Sequence, residues 1–153
     1  MDNKLFNKIL NRDIMEKDII NFLNNFEKNK DDLSILRGIY LYGNSGVGKT
    51  YFINNLLKSL NYDVISYNSS NIRNKSAIEL ITKNNISDMN VFSMLTGKQK
   101  KMIILMDEID SMKNNDKGGL SYLIKLIRPK KTKKQLKEQI SQLPITCIGN
   151  NSD

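Results

Sequence analysis

The sequence has no His, no Trp, one Cys and two Pro among its 153 residues. Without His, the Ser–His and Cys–His pairs of nucleophilic enzymes cannot form, and a zinc site of the usual ligand type is disfavoured. The single thiol, Cys147, excludes a disulfide framework. Any chemistry must therefore use Lys, Asp, Glu, Ser, Thr, Asn and the backbone.

Long apolar runs are also missing, and none approaches the roughly 18 residues that a membrane span needs. The N-terminus, Met1-Asp2-Asn3-Lys4, is polar and is followed by no long apolar stretch, which excludes a secretory signal. A composition of 39% apolar and 26% charged residues can fill an ordinary core. We expect an intracellular protein, in the nucleus, the cytoplasm or a viral replication site, without a membrane partner.

The net charge is +8, and Lys supplies 20 of the 24 basic residues. A positive surface favours polyanions such as nucleic acid. Lys is also enriched by AT-rich codon usage, so charge alone leaves nucleic-acid binding open.

Hydrophobic periodicity alternates between strands and helices, which predicts an α/β fold with a parallel sheet. Asp13 is expected to cap the first helix, after a flexible N-terminus at 1–12, and residues 13–153 are expected to form one domain. Helices are predicted at 13–28, 49–60, about 75–84, and from Gly118-Gly119 to Pro129; strands are predicted at 38–42, 63–67, 102–106 and 144–149.

Between the first strand and the second helix lies a glycine-rich segment of the form G-x-x-x-x-G-K-[ST]. Its glycines let successive N–H groups point at phosphate oxygens, and the following helix adds its positive pole. Lys49 is expected to reach the β- and γ-phosphates, and the Thr50 hydroxyl to bind Mg²⁺. The predicted phosphate site consists of Gly43, Asn44, Ser45, Gly46, Val47, Gly48, Lys49 and Thr50.

The apolar run at 102–106 ends in two acids, Asp107 and Glu108. We expect Asp107 to hold Mg²⁺, largely through water, and Glu108 to act as the general base on the attacking water. The one Asn-Lys-x-Asp tetrapeptide, at 29–32, precedes the phosphate loop, whereas the base reader of a GTPase follows it. The acidic pair favours a water-attack ATPase.

Asn150 follows the fourth strand, where its amide could contact the γ-phosphate or orient the water. Asn151 is its rival by one position. An ordinary polar turn residue in an Asn-rich chain is the alternative explanation.

Together these segments resemble the nucleotide-binding core of AAA+ ATPases, and within them the large subunit of the replication factor C clamp loader. The resemblance covers about Leu36 to Asn151. It rests on Gly-Asn-Ser-Gly-Val-Gly-Lys-Thr at 43–50, Asn-Ser-Ser-Asn-Ile-Arg-Asn-Lys-Ser at 68–76, Met-Asp-Glu-Ile-Asp-Ser-Met at 106–112, Asp-Lys-Gly-Gly at 116–119, and Pro-Ile-Thr-Cys-Ile-Gly-Asn at 144–150.

The resemblance implies a three-layer αβα P-loop NTPase fold with Walker A at 43–50, Walker B at Asp107 and Glu108, and a sensor-1 residue at Asn150. It implies ATP and Mg²⁺ as cofactors, with other clamp-loader subunits, a sliding clamp and primer–template DNA as partners. Arg73 and Lys75 match the place where the family approaches the DNA backbone.

The sequence departs from the family by stopping after sensor 1. The family's last strand, helical lid and collar are not in it, and none of its four Arg matches the arginine-finger position. In the family's strand order, 5-1-4-3-2, the strand at 38–42 then becomes an uncovered edge. We therefore expect weak ATP binding and little hydrolysis by this chain alone, with a finger supplied in trans.

Two other functions stay open. The chain could belong to another DNA-associated AAA+ ATPase, such as an initiator, a helicase loader or a branch-migration motor. It could also be a truncated homologue that binds nucleotide without turnover. A Lys cluster at 130, 131, 133, 134 and 137 fits either a DNA-backbone contact or a solvated helix face.

Overall fold

The computed structural model of the protein describes residues 11–30, 32, 34–68, 95, 97, 101–112, 117–129 and 143–150. The helix predicted at 75–84 and the Lys cluster lie outside these residues, as do Arg73, Lys75 and Asn151.

Every strand and α-helix of the described chain has the type that the sequence predicts, and a short 3₁₀ helix that the sequence did not predict follows the third strand. In chain order they are α1 (Asp13–Lys28), β1 (Gly38–Tyr42), α2 (Lys49–Ser59), β2 (Asp63–Asn68), β3 (Met102–Asp107), a 3₁₀ helix (Ile109–Met112), α3 (Lys117–Ile127) and β4 (Ile145–Gly149). The α/β class is confirmed.

The four strands form one parallel sheet in the order β1-β4-β3-β2. This is the order that the resemblance implies for these strands. The register pairs Gly38 with Ile145 and Asn68 with Asp107. Because all strands run the same way, their carboxyl ends meet along one edge of the sheet.

Each face of the sheet is covered by helices, which gives the predicted three layers. On one face Ile19 and Leu23 of α1 and Ile53 of α2 pack against Ile103 and its neighbours on the sheet. On the other face α3 and the 3₁₀ helix cover the strands. Alternate residues of β3 serve opposite faces, since side chains in a strand alternate. The second cluster comprises Ile104, Met106, Ile109, Met112, Leu123, Leu126, Leu143, Ile145 and Cys147.

The start of α1 differs from the prediction. Arg12, not Asp13, is the residue that precedes the helix, and the Arg12 side chain makes no capping hydrogen bond to the helix. Asp13 lies instead in the first turn, where a carboxylate interacts favourably with the helix dipole. No helix among the described residues is long and apolar enough to cross a membrane.

Candidate functional site

A cleft of about 360 Å³ opens where the carboxyl ends of β3 and β4 meet the N-terminus of α2. It lies beside the point where the chain leaves β1 and crosses to the far edge of the sheet, the usual ligand position in open α/β sheets. The residues that line it are Ser45, Gly46, Gly48, Lys49, Thr50, Tyr51, Asp107, Glu108, Ile148, Gly149 and Asn150.

The glycine-rich loop joins β1 to α2 through backbone conformations that favour glycine. Gly46 has a φ of 79° and Gly48 a φ of 81°, both in the left-handed region. Gly48 precedes α2 and has no side chain with which to cap it. The first N–H groups of α2 and its positive pole are therefore available to an anion.

The Lys49 ammonium ties the loop to the end of β4. Its Nζ donates to the carbonyl oxygens of Gly43 at 2.8 Å and Asn44 at 2.9 Å, and to Oδ1 of Asn150 at 3.0 Å. An ammonium has three donors, and all three are engaged here. A ligand phosphate would therefore compete with these contacts. Of the three acceptors, only the Asn150 amide lies outside the loop.

Thr50 and Asp107 approach each other from α2 and β3. The Thr50 hydroxyl donates to Oδ2 of Asp107 at 2.7 Å, and the backbone N–H of Glu108 donates to Oδ1 at 2.8 Å. A carboxylate beside a hydroxyl is a set of hard oxygen donors, which Mg²⁺ prefers when it also keeps waters and phosphate oxygens. The residues present therefore fit the ion that the sequence implies.

Glu108 is exposed and lines the cleft beside Asp107. Its φ of 55° is uncommon for a residue with a side chain. Its carbonyl accepts from the backbone N–H of Ser111 at 3.1 Å and from the Ser111 hydroxyl at 3.0 Å, which stabilises this turn. Such conformations are typical of functional positions, so the geometry motivates a role for this carboxylate.

Asp110 holds Asn150 in place, and the sequence did not single it out. The backbone N–H of Asn150 donates to Oδ2 of Asp110, and the Tyr40 hydroxyl donates to Oδ1 at 3.4 Å. Partial burial raises the pKa of Tyr40, and the nearby Asp110 carboxylate raises it further. A Cβ added at Gly149 would overlap the Tyr40 hydroxyl, so a larger residue here would displace the Tyr40 ring from Asp110. The position of Asp110 three residues after Asp107 was the available signal.

Arg12 also contacts the loop, although the sequence placed it in a flexible terminus. Its guanidinium donates to the Val47 carbonyl and lies 5.2 Å from the centre of the Phe52 ring. No pattern in the sequence connects a residue before α1 with the phosphate loop.

Cys147 lies on β4 within the core, and burial raises the pKa of its thiol to about 12. A thiol with so little thiolate at neutral pH is a poor nucleophile. Cys147 is thus not a candidate for the chemistry of the site. Among the described residues, the functional side chains that the tertiary structure brings together are Lys49, Thr50, Asp107, Glu108 and Asn150.

This combination of parallel sheet, glycine loop and acidic strand end is that of a P-loop NTPase. Residues 39–153 match the model of the ATPase family associated with various cellular activities (AAA), and the chain belongs to this family. Membership implies a nucleotide ligand, ATP, which typically binds with Mg²⁺.

Curated relatives narrow the resemblance to replication factor C. The chain is 31% identical over 110 residues to replication factor C subunit 1 of Saccharomyces cerevisiae, covering 67% of this chain and 13% of that protein. It is 31% identical over 126 residues to subunit 1 of Drosophila melanogaster, covering 79% and 12%. With the replication factor C large subunit of Methanococcus vannielii the identity is 34% over 101 residues, covering 62% and 19%. The chain thus spans less than a fifth of each of these relatives.

A solved structure of the Aeropyrum pernix ORC2 protein, described as ADPNP–ADP complexes, has a similar fold. The TM-score is 0.53 at 15% identity, over 93% of this chain and 41% of that one. At this identity the likeness concerns the fold alone. The sequence-based recognition of an AAA+ core related to the large subunit of replication factor C is confirmed.

Proposed function

We propose that the cleft binds Mg–ATP and that this chain is the nucleotide-binding module of a clamp-loader large subunit. The observation that carries the nucleotide assignment is the convergence of Lys49, Thr50 and Asp107 at one end of the sheet. The Thr50–Asp107 contact of 2.7 Å and the Lys49–Asn150 contact of 3.0 Å join segments far apart in sequence. A phosphate site needs a cation, N–H donors and metal ligands together, and this cleft offers all three.

In this proposal Lys49 leaves Asn150 and turns to the β- and γ-phosphates, while the loop N–H groups surround their oxygens. Thr50 and Asp107 hold Mg²⁺, which neutralises charge on the phosphates. The exchange replaces a hydrogen bond from the ammonium to a neutral amide oxygen with one to an anionic phosphate oxygen, which is stronger because both partners are charged. Phosphate binding then releases the Asn150 side chain.

Glu108 is the proposed general base. A carboxylate at the rim of the cleft can accept a proton from a water aligned with the γ-phosphate. Asn150, freed from Lys49 and held through its backbone by Asp110, can donate its amide N–H to the γ-phosphate or orient that water. We propose that hydrolysis also needs an arginine supplied by a partner subunit.

The clamp-loading role rests on the matched relatives and on the family resemblance of the motifs in this sequence. The matched relatives carry the name replication factor C, which supports this role over that of an initiator, a helicase loader or a branch-migration motor. We propose other loader subunits, a sliding clamp and DNA as partners, with Arg73 and Lys75 on the DNA backbone.

The Lys49→Ala variant tests the nucleotide assignment. Calorimetry with Mg–ATP should show a loss of affinity of about 100-fold, because the phosphates lose their main cation. Lys58→Ala is the matched control: it removes the same charge from the exposed last turn of α2. Equal binding by Lys49→Ala and Lys58→Ala would refute the proposed site.

A further inference from the structure

Arg12 joins the start of α1 to the phosphate loop on the outside of the cleft. Its guanidinium donates to the carbonyl of Val47, and the same group lies over the ring of Phe52, 5.2 Å from its centre. Phe52 is buried in α2, so it is a fixed support. Arg12 is not among the residues that line the cleft.

The carbonyl that Arg12 binds belongs to the peptide between Val47 and Gly48. In a trans peptide the C=O and the N–H point in opposite directions. A donor that holds the Val47 oxygen on the outside therefore turns the Gly48 N–H the other way, toward the loop interior. That N–H is one of the groups that the motif directs at phosphate oxygens.

The loop supplies little else to hold this peptide. Gly46 and Gly48 flank Val47, and glycine populates positive and negative φ with similar ease. The Val47 side chain is 49% exposed, so packing does not anchor it. A peptide turned the other way would present a carbonyl oxygen to phosphate, which repels it.

We propose that Arg12 is a positioning residue of the phosphate site, which holds the Val47–Gly48 peptide with its N–H toward the ligand. Arg12 acts through this peptide and does not touch nucleotide. Its own anchor is firm, because its carbonyl accepts from the Glu16 N–H at 2.9 Å and α1 packs into the core through Ile19. This inference rests on the proposed nucleotide site.

The test compares Arg12→Met, which keeps an unbranched stem without a donor, with Lys28→Met. Lys28 is exposed in the last turn of the same helix, about 24 Å along its axis. Affinities for Mg–ATP and Mg–tripolyphosphate are measured by calorimetry, well below the unfolding temperature. Arg12→Met should weaken both ligands by the same factor, about five- to tenfold. Lys28→Met should change neither.

Tripolyphosphate separates action on the loop from action on the base or ribose. A loss confined to ATP would overturn the proposal, and so would unchanged binding by Arg12→Met. Arg12→Lys retains a donor for the Val47 carbonyl and should recover most of the affinity. The Arg12→Lys variant also tests the proposal if Arg12→Met fails to fold. An Arg12→Lys variant with no better affinity than Arg12→Met, or below a tenth of the parent's, would overturn the hydrogen-bond mechanism.

Lys49→Ala is measured in parallel, so that two failures can be told apart. If Lys49→Ala binds as tightly as the parent, the nucleotide site itself is wrong. If Lys49→Ala loses binding while Arg12→Met behaves as the parent does, the site stands and only the role of Arg12 falls.

Discussion

The two sides of the cleft are built in different ways. The loop side, residues 43–50, is one continuous segment that offers N–H donors and the Lys49 ammonium. The opposite side takes Asp107 from the end of β3, Glu108 directly after it and Asn150 directly after β4, and it offers mainly oxygen acceptors. Only parallel pairing of β3 with β4 places these residues together.

This difference separates binding from turnover. A donor-rich loop at a helix N-terminus attracts phosphate by itself. The acceptor side becomes useful only with a metal ion, or with a water to activate, because carboxylates repel bare phosphate. Changes on the loop side should therefore alter affinity for every phosphate ligand, whereas changes on the strand side should alter metal dependence or rate.

The sharpest separation is expected at Glu108. Glu108→Gln keeps the size of the side chain and loses its basicity, so ATP hydrolysis should fall at least 100-fold while ATP affinity stays the same. Because we expect little hydrolysis by the chain alone, phosphate release is measured in the assembled ring, where a partner subunit supplies the arginine. Glu16→Gln, outside the cleft lining, is the control. A turnover rate in Glu108→Gln equal to the parent's would remove Glu108 from this role.

Asp107→Asn should weaken ATP binding about tenfold in Mg²⁺ and hardly at all with the metal chelated, because the lost charge serves the ion. Asp18→Asn, an exposed change in α1, is the control. Calorimetry with and without chelator gives the comparison. An equal loss under both conditions would mean that Asp107 acts on the loop through Thr50 instead of on a metal.

Tyr51 tests whether the loop side also contacts the base. It lies in the first turn of α2, lines the cleft and is 61% exposed. If its ring stacks on adenine, Tyr51→Ala should weaken ATP about fivefold and leave tripolyphosphate unchanged, since stacking contributes about 1 kcal/mol at an exposed site. Tyr42→Ala, of similar exposure but outside the cleft lining, is the control. An equal effect on both ligands would contradict base stacking.

The smallest effect is expected on stability and comes from Cys147, which is buried in β4. Burial raises the pKa of Cys147 to about 12 from its ordinary value near 9, so above pH 9 the folded state holds this proton more tightly than the unfolded state does. The stabilisation is complete below pH 9 and is lost as the pH rises toward 12, by about 1 to 2 kcal/mol at pH 10. Urea unfolding at pH 7.5 and pH 10 measures it. Cys147→Val should show a smaller decline, and an identical decline would assign the pH dependence to other groups.

Local patterns predicted most of the described fold. The predicted strand at 38–42 agrees with β1 to the residue, and α1 ends at Lys28 as predicted, although it begins one residue earlier than a cap at Asp13 would allow. Each has a clear hydrophobic period and flanking polar residues. Loop residues 43–50 were recognisable because phosphate binding by a continuous loop constrains residue type at fixed spacing.

Contacts between distant segments were beyond such patterns. In the sequence Asp110 is one more acid after Asp107. Its contact with the Asn150 backbone forms only because the 3₁₀ helix lies beside the end of β4 in the folded protein. No sequence pattern pointed to a role for Arg12, since its partners Val47 and Phe52 lie 35 and 40 residues further along the chain.

By itself the sequence determined the order of strands and helices, the phosphate-loop motif and the family, because each depends on residue type at short, regular spacing. The tertiary structure decided which side chains face the loop. It alone brought Asp107 to Thr50, Asn150 to Lys49 and Arg12 to Val47. The reason is physical: a hydrogen bond between segments far apart in sequence depends on how the sheet and helices pack, and that packing leaves no mark in the spacing of the residues it joins.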